Sequence, residues 1–177
     1  MKEPLKMDGI REDSRLRFSL RNNINALLSL IIGFLLSMIV LIFLQFDPYA
    51  LLAFGIWYGI DVVITLYLHI EYWLKNKGEE YEVHFDELVR FKNGESTVFK
   101  VSDIEKIKVY MSPALYRGSN LHFLGIEAYH YARVYLTSGE ELIITCLLTP
   151  KIEKALRGLR GVKVERKKRV FNTLEWK

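Results

Sequence analysis

Two apolar runs, residues 24–46 and 49–74, follow one another with only Asp47-Pro48 near their junction. As a helix the first run of about 23 residues rises roughly 34 Å, enough to span a hydrocarbon core of about 30 Å. Its interior, ALLSLIIGFLLSMIVLIFL, contains no charge. A cleaved signal peptide has a shorter apolar core and ends on small residues. Here the run continues through Phe43-Leu44-Gln45 and a second one follows at once, so a retained anchor is expected. So short a link forces the two helices to lie antiparallel and adjacent, with Asp47-Pro48 as turn chemistry.

Lysine and arginine set the expected orientation. Lys2, Lys6, Arg11, Arg15, Arg17 and Arg21 precede the hairpin, Lys75 and Lys77 follow it, and the turn has neither. The positive-inside rule then places both termini in the cytoplasm. Tyr67, Tyr72 and Trp73 are suited to the inner interface.

Each helix carries a polar or small-residue stripe at fourth-residue spacing, Asn25, Ser29, Gly33 and Ser37 on the first and Trp57, Asp61, Thr65 and His69 on the second. In an antiparallel hairpin Ser29 is level with Thr65, and Gly33 with Asp61. An ionised carboxylate at that depth costs roughly 2.5–3.5 kcal/mol on insertion scales, so Asp61 must find a partner or lose its charge. One reading is a relay that uses Asp61 and His69 within a transport or channel assembly. The other, favoured because one hairpin encloses no pathway, is interhelical bonding of Asp61 to Ser29 or Ser37 across the gap left by Gly33. Gly55 and Gly59 lie on another face, which leaves a small-residue surface for a second copy.

Residues 1–23 read as a cytosolic leader, with residues 14–21 suited to a short helix along the inner leaflet. After the hairpin the period changes to two. Strands are expected over residues 81–85, 88–92, 96–101, 104–111, 126–137 and 141–148, with turns at Asn93-Gly94 and Ser138-Gly139. A helix should follow, with Thr149 as N-cap, Pro150 at its first position, Ile152, Ala155, Leu156 and Leu159 facing inward, and Gly161 as its stop. Residues 162–177 form either a last strand or a tail. The single cysteine, Cys146, suits a reducing compartment.

A two-helix hairpin, meandering strands, the phrase VSDIEKIKV at residues 101–109, a Ser-Gly hairpin and a Thr-Pro helix together resemble the bacterial PH-like membrane proteins. The resemblance covers residues 24–160. It implies an α+β membrane protein of a bacterial inner membrane, in which a transmembrane two-helix hairpin (24–74) carries an antiparallel PH-like β-sandwich or barrel (79–161) closed by a C-terminal capping helix. The family has no common catalytic residues, and the basic segment 162–177 departs from it.

The residues around the first strand–turn–strand are a poor phosphate cradle, since Glu79, Glu80, Glu82, Asp86 and Glu87 outnumber Arg90 and Lys92. Paired acids such as Glu79-Glu80 read as solvated. Residues 151–177 hold ten basic against three acidic side chains, and Arg157, Arg160, Arg166, Lys167, Lys168 and Arg169 are candidates for lipid headgroups or an acidic partner. Their alternative is a charged edge that prevents strand association. The loop ALYRGSNLHFLGIEAYHY, residues 114–131, offers Tyr116, Arg117, His122, Phe123 and Tyr129 as a partner surface, against the alternative of packing into the sheet. His69, His84, His122 and His130 lack metal spacing, and no nucleotide loop or nucleophile motif is present. The sequence therefore predicts a non-catalytic membrane-anchored binding or scaffolding module without a cofactor. Its expected partners are membrane lipids, another protein and, through the hairpin, a second copy of the chain, with nucleic acid excluded for want of a recognition motif.

Overall fold

The computed structural model describes residues 15–119 and 124–174. Two long helices come first, α1 (Leu20–Phe43) and α2 (Pro48–Asn76). α1 begins earlier than the apolar run because Ser19, in an extended conformation, accepts a bond from the Asn22 amide and caps the first turn. Gln45 and Phe46 turn the chain in the left-handed region. Asp47 then caps α2 through bonds from the Tyr49 and Ala50 amides, with Pro48 in the first turn. Both helices are long and apolar enough to cross a membrane by length and composition, and their most apolar windows are only 28 % and 17 % buried. A helix in the core of a soluble domain would be mostly covered. Phe34, Phe54 and Tyr58 cluster between the helices, and the Tyr58 hydroxyl donates to the Leu30 carbonyl.

Two four-stranded sheets follow. The first has the order β1-β2-β3-β4, from β1 (Arg15–Leu16), β2 (Glu79–Val83), β3 (Glu87–Lys92) and β4 (Glu95–Lys100). Asn93 and Gly94 both have positive φ, which closes the β3–β4 hairpin as their sequence predicts. Residues 15–16 correct the expected leader helix. They pair with Tyr81 and Glu82, and Leu16 is buried, so the chain on both sides of the hairpin is tied into one sheet.

The second sheet has the order β7-β6-β5-β8, from β5 (Ile104–Met111), β6 (Tyr131–Leu136), β7 (Glu141–Thr145) and β8 (Val164–Lys168). β8 makes residues 164–168 a strand, and it lies parallel to β5. Parallel pairing needs a crossover, and the segment between β7 and β8 supplies it. Its helix α4 (Ile152–Leu156) is shorter than predicted, for the chain tightens at Gly158 and Gly161 takes a positive φ. Ile152, Leu156 and Leu159 nevertheless enter a core with Val83, Leu88, Ile107, Val109, Val134, Leu142 and Ile144. The expected strand at residues 126–137 begins only at Tyr131, because Gly125–Ala128 forms a 3-10 turn. α3 (Pro113–Tyr116) is one turn started by Ser112 and Pro113.

The domain is fastened to the base of the hairpin by side chains that copy a strand partner. Asn76, fully buried at the end of α2, donates to the Ile143 carbonyl and accepts from the Thr145 amide, both at 2.9 Å. The Asn22 side-chain amide donates to the Leu148 carbonyl at 2.8 Å. Asn76→Ala leaves two groups of β7 unsatisfied, at about 1–3 kcal/mol for each orphaned group. It should lower the unfolding temperature of the purified protein by several degrees, whereas exposed Asn93→Ala tests only the turn.

Candidate functional site

The middle of the hairpin's polar stripe, at Ser29, Gly33, Asp61 and Thr65, is buried, while Asn25 and Trp57 at its ends are exposed. Ala26, Ser29, Leu30 and Gly33 on α1 and Asp61, Thr65 and Leu68 on α2 are buried, and the 3-10 turn Gly125–Ala128 packs along both helices. The Asp61 carboxylate accepts a 2.9 Å bond from the Gly125 amide and longer contacts of 3.5 Å from the Ile126 amide and the Thr65 hydroxyl. The first amides of a helical turn have no partner within it. Asp61 supplies one from α2, so it serves as an N-terminal cap borrowed from a distant part of the chain. Ser29 approaches the Gly125 carbonyl at 3.5 Å while bonding Ala26 of its own helix.

Only glycine fits at this contact. A Cβ on Gly125 would lie 2.7 Å from Leu30 Cγ and collide with Thr65 Oγ1. The expected interhelical bonding of Asp61 to Ser29 or Ser37 is thereby corrected. Ser37 donates to Gly33 within α1 at 2.8 Å, and Asp61 turns to the backbone of the domain instead.

His69 continues the same junction. Its Nδ1 meets the Tyr129 hydroxyl at 2.9 Å, and Tyr129 packs edge-on against His69 and Tyr72. Tyr129 is fully buried, which removes it from the expected partner surface, and its burial pushes the phenol up. Tyr116 and Arg117 remain exposed beside α3, while His122 and Phe123 lie outside the described residues. The chain end closes the junction from the other side. The Tyr72 hydroxyl donates to the Asn172 carbonyl at 2.6 Å, Asn172 donates to the Tyr129 carbonyl at 2.7 Å, and the Leu174 amide donates to Glu71 at 3.0 Å.

A second cluster fills the place of an inositide cradle. Glu79 is 3 % exposed and accepts from Arg90 at 2.5 Å, Lys92 at 2.9 Å and Tyr81 at 2.8 Å. This corrects its reading as a solvated acid, and it leaves the two cations committed to an internal anion. Burial alone would raise the Glu79 carboxyl, but the bonds from Lys92, Arg90 and Tyr81 outweigh it and hold the group below its ordinary value.

Several of the C-terminal cations are also engaged. Arg157 and Arg166 converge on Glu153, with closest approaches of 2.6 and 2.8 Å, and although burial opposes it their bonds hold that carboxyl low. Arg160 covers Phe85, and Arg169 donates to Tyr131 and lies over Tyr110. Lys167 reaches Glu165 at 3.6 Å, and Lys167 and Lys168 are exposed. Among the described residues no group of His, Cys, Asp and Glu is placed to hold a metal. Burial pushes the Cys146 thiol up to about 12, which makes it a poor nucleophile.

Two long apolar helices joined to two largely antiparallel sheets define an α+β PH-like fold, in which the expected C-terminal capping helix is instead part of the crossover from β7 to the parallel strand β8. A family model described as a PH domain matches residues 12–153, and the chain belongs to that PH domain family. The match takes in β1, the whole hairpin and both sheets up to α4, and it stops before β8. No curated protein and no solved structure matches the chain.

Gly125, Asn76, Glu71 and Asn172 were not singled out by periodicity or motif, because their partners are 64 or more residues away in most of these bonds. Two outcomes are expected. Gly125→Ala overpacks the seam at about 1–3 kcal/mol and Asp61→Leu removes its acceptor, so either should speed amide exchange over residues 124–128, whereas Asp61→Asn, with one acceptor oxygen retained, should preserve most of the protection. Because the folded Glu79 carboxyl lies below its unfolded value, its contribution is present above about pH 4.3 and is lost as pH falls through the folded value. Glu79→Gln should flatten that acid limb of the unfolding temperature against pH.

Proposed function

We propose that this chain is a non-catalytic, membrane-anchored binding or scaffolding module, which holds a PH-like domain in a fixed pose on the cytoplasmic side of a bacterial inner membrane. The observation that carries this reading is the docking of Gly125–Ala128 into the hairpin seam at Asp61. A tether needs no such contact, whereas a presenting module needs its domain held in one orientation. The uncovered apolar surface of both helices and the Lys and Arg on their inner flanks support insertion with both termini cytoplasmic. The PH domain family supports a binding role, and the neutralisation of Arg90 and Lys92 by Glu79 argues against inositide capture at the strand–turn–strand.

A protein partner would meet the exposed part of the loop, where Tyr116 and Arg117 offer a ring and a fork of donors. The transport alternative loses its motive, since Asp61 and His69 each have a structural partner, Gly125 and Tyr129.

Crosslinking and capture from native membranes tests the reading. Capture of a specific protein should survive Asp61→Asn and fall by about tenfold, the equivalent of 1.4 kcal/mol, with Tyr116→Ala and Arg117→Glu combined. Loss of cellular function with Asp61→Asn in a protein that still folds and inserts would instead favour a relay within a transport assembly.

A further inference from the structure

Outside the hairpin, Val170 and Phe171 stand out as adjacent large apolar side chains left uncovered, at 59 % and 51 % exposure. They are not on a free tail. Arg169 bonds Met111 at the end of β5, and Asn172 and Leu174 are pinned to Tyr72 and Glu71 of α2. The pair is therefore held at a defined height beside the hairpin.

That height follows from helix geometry and rests on the membrane-spanning reading above. With the Asp47 turn at the outer surface, about 20 residues of α2 fill a core of roughly 30 Å, which brings the inner boundary to the neighbourhood of Tyr67. Tyr72 lies about 7 Å further, within the headgroup layer. Exposed Tyr67 and Trp73 mark the same layer on α2, and Lys77 lies over Trp73. Gly125–Ala128, docked at Asp61, lies about 9 Å inside the boundary. Irregular backbone is tolerated there because Asp61 and the packed helices satisfy it.

We infer that residues 167–171 form a second membrane contact, in which Lys167 and Lys168 meet acidic phospholipid headgroups and Val170 and Phe171 enter the interface beside Tyr72. Each lysine near an acidic surface adds roughly 1 kcal/mol, screened within a Debye length. The contact fixes the side of the domain that faces the bilayer.

The full chain reconstituted in vesicles decides the matter. An environment-sensitive dye is attached to Val170→Cys, Leu52→Cys or Val98→Cys, with spin-labelled lipid as quencher. Cys146, the single native cysteine, is 3 % exposed and does not compete. In vesicles containing phosphatidylglycerol, quenching at position 170 should exceed that at position 98 by about twofold or more, and combined Lys167→Glu and Lys168→Glu should abolish the excess. Quenching at 170 no greater than at 98, with position 52 strongly quenched, overturns this contact and leaves the membrane hairpin standing. Equal quenching at 170 in neutral and acidic vesicles overturns the assignment to acidic lipid. Failure of position 52 to be quenched overturns the hairpin reading itself.

Discussion

The Asp61 carboxylate and the Gly125 amide depend on each other. A buried carboxyl group in an apolar seam needs a hydrogen-bond partner, and the first amides of an isolated turn need an acceptor. Each lacks a partner within its own element, and at 2.9 Å they satisfy one another. The absence of a side chain on Gly125 lets the two backbones approach that closely. Around this contact the rest of the junction falls into place, with Tyr129 against His69 and Tyr72, and the chain end bonded to Glu71 and Tyr72.

The same economy recurs where acids neutralise cations inside the domain. Glu79 draws Arg90 and Lys92 together, and Glu153 draws Arg157 and Arg166. Hairpin and domain are joined at several levels, through Asn22 and Asn76 near the base and Asp61 higher up. β1 adds a backbone ladder on the far side of α1. Fastening at separated heights resists rotation in a way that a single linker cannot.

Local chemistry was legible where a short window contains its own cause. The apolar runs, the Asp47-Pro48 cap, the Asn93-Gly94 turn and the alternation of β2 all follow from residues a few positions apart. β1 was not, for two residues after a polar leader carry no period, and their pairing with Tyr81 and Glu82 spans the entire hairpin. The polar stripe was read as bonding between the two helices, whereas Asp61 bonds the Gly125 amide of the domain. Depth matching aligned α1 with α2 and had no means of introducing a third element from residues 125–128. Glu79 likewise reads as one of a run of surface acids until the sheet brings Arg90 and Lys92 across from β3.

By itself, then, the sequence determined two spanning-length helices, a domain of mostly antiparallel strands behind them, and a carboxyl group within the hairpin that had to be satisfied. Hydrophobic period, turn residues and charge placement act over a few residues and need no knowledge of the fold. The tertiary structure decided which groups satisfy that carboxylate, which arginines are neutralised and where Val170 and Phe171 stand. The first of these depends on segments more than 60 residues apart, as Asp61 and Gly125 are, while Arg90 meets Glu79 only because two strands pair. Only the packed chain brings such segments within the few ångströms over which hydrogen bonds and close packing act.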